Sequence, residues 1–283
     1  MKKSSGVLVI NKPAGPTSRD IVNKLTKIFN TKKIGHTGTL DPIATGVLVV
    51  CIGKYTKLVG ELTSLDKEYV ATIKFGVSTD TLDITGNILK EDVIKEYSVE
   101  KIKEVLESFL GESIQETPKY SAVKINGKKL YEYARNNEEI ELPKRKIKIS
   151  KIEILNYDVN TLTFRVNVSK GTYIRSLIND ICLKLDTIGT MQSLNRTKQG
   201  DFKIEYSYTL EEVLDDNHKL LQARDIFDYE TYELTEEEFF KVKNGNQLNV
   251  AIQGKTIMLY QGKEIAIYEG NDGICKCYLM LNN

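Results

Sequence analysis

Apolar and polar positions follow each other along this chain in short, readable patterns. Residues 7–10, VLVI, form an apolar run that Asn-Lys-Pro ends, as a first buried strand would. Thr17-Ser18-Arg19-Asp20 then precedes Ile21, Leu25, Ile28 and Phe29 at helical spacing, and Thr17 with Asp20 makes a capping box. Residues 30–46, rich in Thr and Gly, read as loop. Residues 47–52 are a buried strand and 68–75 an alternating one. Ser98 caps a helix striped by Ile102, Val105, Leu106 and Phe109, which Gly111 ends. Residues 128–136 read as a short helix. Ile147, Ile149, Ile152 and Ile154 pair with 162–168 as a hairpin, and 173–185 form an apolar helix after Gly171. An acidic stretch, 211–230, marks a boundary. Beyond it come a short helix at 234–244 and strands near 256–260, 263–268 and 274–281.

No βαβ rhythm orders these elements. The pattern predicts an α+β fold with a large, mostly antiparallel mixed sheet flanked by helices and loops, and a small β-rich unit behind it. The predicted division is 1–228 and 229–283. No internal repeat is visible.

Composition narrows the class. Of 283 residues, 41% are hydrophobic and 28% charged, values of a globular chain and not a disordered one. No apolar run approaches the roughly 20 residues of a membrane span. The basic start is followed only by VLVI, too short for a secretory signal of about 7–15 apolar residues, so a cytoplasmic location is expected. Cys51, Cys182, Cys275 and Cys277 complete no zinc ligand set, and only two histidines are present. No metal and no disulfide framework are expected.

Charge changes the picture more. Residues 1–60 carry ten Lys/Arg against two acids, a net +8, while residues 201–240 carry thirteen acids against three Lys/Arg, a net −10. Clustered cations gain free energy by displacing counterions from a nucleic acid.

Phosphate-loop, dinucleotide-loop, serine-elbow and zinc-protease motifs are all absent. What stands out is GHTGTLDPIATG, residues 35–46. A plain structural reading is available. Asp41-Pro42 suits a helix N-cap and first turn, a one-turn helix that Gly46 would end.

The full string resembles the signature of the TruB family, the synthases that make pseudouridine in the T-loop of tRNA. Ile43 stands where that family has Leu. Further motifs resemble the family's in the same order: Asn11 to Ser18, Asp66-Lys67-Glu68-Tyr69, Asp80 to Gly86, Pro118 to Lys128, Gly171 to Leu177, and Met191 to Thr197. They cover about residues 6–200. The tail is similar to a small PUA-type RNA-binding domain in its Gly-rich strand pattern.

This resemblance implies a division of labour. Asp41 is the catalytic residue and Arg175 its ion-pair partner, which should hold the Asp41 pKa down. Tyr69 stacks on the target uracil, with Tyr173 and Leu194 lining the same pocket. Lys12 supports the first motif or meets phosphate. His36 fills the space that a flipped nucleotide leaves. Lys124, Lys128, Lys144, Arg145 and Lys146 meet RNA from an inserted segment, about 118–150. The implied reaction is isomerisation of uridine 55 in the T-loop, by base flipping and a covalent aspartate, with no cofactor and no guide RNA, in a monomer. Two other readings stay open: an RNA-binding or tRNA-folding protein with incidental activity, and a guide-RNA-dependent H/ACA-type synthase.

Overall fold

The computed structural model of the protein describes residues 5–136, 138–271 and 273–281. Parts of the sequence-based reading, among them the basic Lys2 and Lys3 at the start, lie outside the described residues.

A nine-stranded mixed sheet is the frame. Its strands are β1 (Gly6–Lys12), β2 (Ile34–His36), β3 (Thr45–Ile52), β4 (Lys67–Phe75), β5 (Gly111–Glu116), β6 (Lys144–Tyr157), β7 (Thr161–Val168), β8 (Gly189–Gln199) and β9 (Phe202–Lys203). They lie in the order β1-β3-β8-β4-β7-β6-β5, with β2 paired to β3 and β9 to β8. Every neighbouring pair is antiparallel except β3–β8, which run parallel where Thr45 and Gly46 face Asn195 and Arg196. This is the predicted α+β architecture.

The runs VLVI and VLVVCI are apolar throughout because both faces of β1 and β3 are covered. Leu8, Ile10, Leu48 and Val50 face one cluster with Ile21 and Leu25 of helix α1 (Ser18–Ile28). Val7, Val9, Val47 and Val49 join another, which takes in Ile257, Leu259 and Ile267 of a second sheet. The capping box that starts α1 is present: Asp20 N–H donates to Thr17 Oγ1, and Thr17 N–H to Asp20 Oδ2. Helix α2 (Val99–Glu107), capped by Ser98, packs on β6 and buries Ile102, Val105 and Leu106 in the core that β4, β7 and β8 share, while Phe109 falls beyond its end. Helix α3 (Leu130–Arg135) follows, and Lys128–Lys129, read as helical, form a short strand instead. Helix α4 (Ile174–Lys184) buries Leu177, Ile178 and Ile181 in the same core as α2.

The second sheet has the order β10 (Glu230–Glu233), β11 (Gly254–Tyr260), β12 (Lys263–Asn271), β13 (Ile274–Met280). Helix α5 (Glu236–Val242) packs Val242 against it, with Leu234, Met258 and Tyr268.

Residues 30–46 are not all loop. They contain β2 and the start of β3, and no helix begins at Asp41. A single turn replaces it, closed by Ala44 N–H to the Asp41 carbonyl at 3.0 Å. Gly46 sits inside β3 at φ +97°, where a β-carbon would stand 2.3 Å from the carbonyl oxygen of Arg196. Only glycine fits there, because the parallel β3–β8 approach leaves no room for a side chain.

Candidate active site

The Asp41 turn is held from below by the first motif. Lys12 ends β1 fully buried, and its Nζ donates to the carbonyls of Pro13 (2.8 Å), Pro42 (3.2 Å) and Ala44 (2.7 Å). Gly15 N–H donates to the Pro42 carbonyl, and Ser18 Oγ accepts from Leu40 N–H at 2.9 Å. Lys12 therefore braces the turn. Supporting the first motif is one of the two roles expected of Lys12, and its three N–H groups are all spent on carbonyls.

Above the turn, Asp41 meets Arg175 from the first turn of α4. Arg175 Nε lies 2.9 Å from Asp41 Oδ2, and Nη2 donates to Oδ1 at 3.2 Å, a two-point pairing. Arg175 also donates to the carbonyls of Thr81 and Tyr120, each at 2.9 Å. One guanidinium thus gathers three of the sequence motifs. Burial pushes the Asp41 pKa upward, Arg175 pulls it back, and the buried Asp83 pushes it up again. The net direction is upward. This reverses the expectation from the ion pair alone: desolvation outweighs the partner. About a third of the Asp41 side chain stays open, toward a cavity.

That cavity is about 330 Å³, and Asp41, Arg175, Tyr69, Tyr173 and Leu194 all line it. Tyr69 and Leu194 are buried, and Tyr173 is half-buried. Each has a local reason for its place. Tyr69 and Leu194 lie on the adjacent strands β4 and β8. Tyr173 is the N-cap of α4, and its own N–H and carbonyl are clamped by Gln115 of β5. Arg145 stands over the Tyr173 ring, 6.0 Å from its centre.

His36 is not among the residues lining this cavity. It lies half-buried on β2, with Nδ1 accepting weakly from Gly38 N–H at 3.4 Å. Burial, with Arg19 and Arg196 nearby, holds its pKa below the usual imidazole value, which keeps it neutral. The basic residues of the inserted segment are spread outside. Lys124, Lys144 and Lys146 are exposed, Lys146 pairs with Glu112 at 2.7 Å, and Lys128 pairs with Glu138 at 2.5 Å. Of these five, Arg145 reaches the cavity wall, at Tyr173.

Two wall residues escaped the sequence reading. Arg196 of β8 is buried; its Nε donates to the Val47 carbonyl at 2.6 Å, its Nη2 to the Gly38 carbonyl at 3.1 Å, and its Nη1 points at Tyr69 Oη, 3.5 Å away. Lys67 opens β4, also buried. Both stood inside quoted motifs, so position was legible and role was not. No group of His, Cys, Asp and Glu arranged to hold a metal occurs among the described residues, and no described helix is long and apolar enough to cross a membrane.

This geometry has relatives. The family model described as TruB family pseudouridylate synthase (N terminal domain) matches residues 26–174. A tRNA pseudouridine synthase B of Caldanaerobacter subterraneus subsp. tengcongensis is 47% identical over 241 residues, 85% of this chain and 85% of its own length. One from Fusobacterium nucleatum is 46% identical over 263 residues, covering 90% and 91%. Among solved structures, an H/ACA RNP bound to a substrate RNA superposes with a TM-score of 0.70 at 25% identity, over 98% of this chain and 85% of the other. A Cbf5-Nop10-Gar1 complex gives 0.69 at 26% identity, over 98% and 84%. The loop around Asp41, the Arg175 pairing and the cavity between them sit within or at the edge of the matched span, and the likeness continues well past it on both sides; the chain belongs to the TruB family of pseudouridylate synthases.

Proposed function

We propose that this protein isomerises uridine to pseudouridine in the T-loop of tRNA, at position 55, as a cytoplasmic monomer needing neither guide RNA nor cofactor. The observation that carries it is the two-point Arg175–Asp41 pairing at a cavity walled by Tyr69, Tyr173 and Leu194. In this reading, residues 1–228 form the catalytic domain, the segment near 118–150 grips the RNA, and 229–283 act as a PUA-like RNA-binding domain.

The isomerisation is redox-neutral. The N1–C1′ bond breaks, C1′ bonds to C5, the C5 proton leaves, and N1 ends with a proton. Asp41 is the covalent catalyst, aligned by Arg175 and partly desolvated, which makes a carboxylate a better nucleophile than in bulk water. Tyr69 and Tyr173 enclose the flipped base, and Leu194 excludes water beside it. His36 fills the gap left in the RNA, offsetting part of the few kcal/mol that flipping costs.

A guide-dependent reading draws on the H/ACA neighbours, but their 25–26% identity is well below the 46–47% shared with proteins called tRNA pseudouridine synthase B. The test is to incubate the protein with unmodified tRNA transcript, a chelator and no guide RNA, and to map pseudouridine. Product at the T-loop uridine is expected. Its absence would overturn the proposal. With Asp41→Asn, tRNA binding should persist and product vanish; product from that variant would remove Asp41 from the reaction.

A further inference from the structure

The cavity holds more positive charge than its carboxylate balances. Lys67, Arg175 and Arg196 all line it and all are buried. Asp41 is the one carboxylate among the lining residues, and Arg175 already grips it with two nitrogens. Behind the lining, buried Lys12 adds a cation and buried Asp83 an anion, so the excess of positive charge stays. Among the described residues, neither Lys67 nor Arg196 has a carboxylate within ion-pair distance, and Arg196 spends its donors on two carbonyls and a phenol. Buried cations without counter-ions are costly, and an anion that enters beside them removes that cost.

The place for it is specific. Lys67 Nζ donates to the carbonyls of Thr63 at 2.7 Å and Leu65 at 2.5 Å, so two of its three N–H groups are taken and the third has no partner among the described residues. A β-carbon on Gly38 would stand 3.4 Å from Arg196 Nη1 and 3.8 Å from Lys67 Cε. The side chain that Gly38 lacks therefore leaves a gap bordered by the Arg196 guanidinium and the end of the Lys67 stem, inside the cavity that Asp41 lines. Burial first and Arg196 second push the Lys67 pKa down to about 8, Asp66 opposes them, and Lys170 adds to the push. A charge so unfavoured in the free protein is one that an arriving anion would stabilise.

We propose that Lys67, backed by Arg196, receives a phosphodiester flanking the target uridine. The inference rests on the function proposed above, in which an RNA uridine enters this cavity. Uracil is neutral and the ribose is neutral, so the backbone phosphate is the only part of that substrate with the charge the gap calls for. Lys67 then fixes where the nucleotide sits along the cavity and so sets the distance of its C1′ and base from Asp41.

A plain structural role for Lys67, tying down the residue 63–65 carbonyls, must be told apart from this. The experiment is single-turnover pseudouridine formation on a synthetic T-arm hairpin. Neutral methylphosphonate replaces one linkage at a time, with wild type, Lys67→Gln and Lys67→Arg. Neutralising one of the two linkages at the target uridine should slow the wild type about tenfold or more, the scale of one charge-assisted contact. Lys67→Gln should be slow on the native hairpin and no slower on the neutralised one. Lys67→Arg should recover most of the rate. The salt slope of binding should fall by about one for Lys67→Gln. Wild-type indifference to methylphosphonate at both linkages overturns the inference alone, whatever the variant does to folding. Penalties that multiply between Lys67→Gln and methylphosphonate overturn it too. No product from the native hairpin with wild type overturns the proposed function, and this inference with it.

Discussion

Lys12 and Ala44 are joined by a 2.7 Å hydrogen bond from Nζ to carbonyl, across 32 residues, with both residues fully buried. The same ammonium holds Pro42 and Pro13, so one side chain gathers three carbonyls under the loop that aims Asp41. Lys12→Met keeps the stem and removes the donors. The orphaned carbonyls should cost about 1–3 kcal/mol, visible as a thermal midpoint lowered by several degrees. The rate should suffer separately: kcat should fall while KM changes little, because Asp41 is mis-aimed but the cavity walls remain. A destabilised variant with wild-type kcat would show that the turn holds itself.

The pH dependence follows from Asp41. Its pKa in the folded protein is raised above the ordinary value of 3.8, by burial first and Asp83 later, with Arg175 opposing and Lys12 adding to that opposition. The reaction needs the ionised carboxylate. Activity should therefore be full above the raised value and lost as the pH falls through it, with the acid limb of kcat/KM above 3.8. Arg175→Gln removes the strongest opposing charge and should move that limb further up while lowering the plateau. A pH–rate profile under single-turnover conditions checks both. A limb at or below 3.8 in wild type would mean that the ion pair dominates burial after all.

His36 makes a different kind of prediction. It is held neutral and lies outside the cavity, so its use must come from its ring rather than from charge. His36→Ala should lower kcat/KM on folded tRNA by roughly 5- to 160-fold, the scale of one base-stacking contact of about 1–3 kcal/mol. The salt dependence of binding and the thermal midpoint should barely move. His36→Phe should recover much of the rate. A large loss of thermal stability in the alanine variant would instead make His36 a part of the β2–β3 packing.

How far the chain could be read before its structure depended on what each strand does. β1 and β3 are apolar on both faces, so their sequences announce burial directly. α1 and α2 begin with side-chain caps that local spacing reveals. β8 is central in the sheet and was not seen as a strand at all. Its sequence, GTMQSLNRTKQ, is polar because Arg196 and Gln199 turn their polar groups inward to hold Val47, Gly38 and Thr37, and two register shifts against β4 break its alternation. β5 was missed for a related reason: it is an edge strand, exposed at most positions. The site shows the same divide. Asp41 and Arg175 are 134 residues apart, a pairing that no local pattern reports and that only the family resemblance suggested. The sign of the Asp41 shift was misjudged because sequence shows the partner and not the desolvation. For Lys12 the sequence left support of the motif and contact with phosphate both open, because a lysine in a glycine-rich motif gives no hint that it is buried.

Gln115 supplies the last test, from a residue that no sequence motif singles out. It sits buried on β5, accepting from Tyr173 N–H through Oε1 at 2.7 Å and donating to the Tyr173 carbonyl through Nε2 at 3.0 Å. Tyr173 is the N-cap of α4 and its side chain caps nothing, so this amide holds the backbone at the helix start, beside the Ser176 and Arg175 bonds one turn in. Arg175 follows two residues later. Gln115→Leu should leave the Tyr173 N–H without a partner, at about 1–3 kcal/mol, while the Tyr173 carbonyl keeps the Leu177 N–H. It should let the start of α4 shift, turning both the Tyr173 wall and the Arg175 pairing. A shift of that kind acts on alignment, so kcat should fall tenfold or more while tRNA affinity stays near wild type. Single-turnover rates beside filter-binding constants make the comparison. A Gln115→Leu variant with wild-type kcat would show that α4 holds Tyr173 and Arg175 in place unaided.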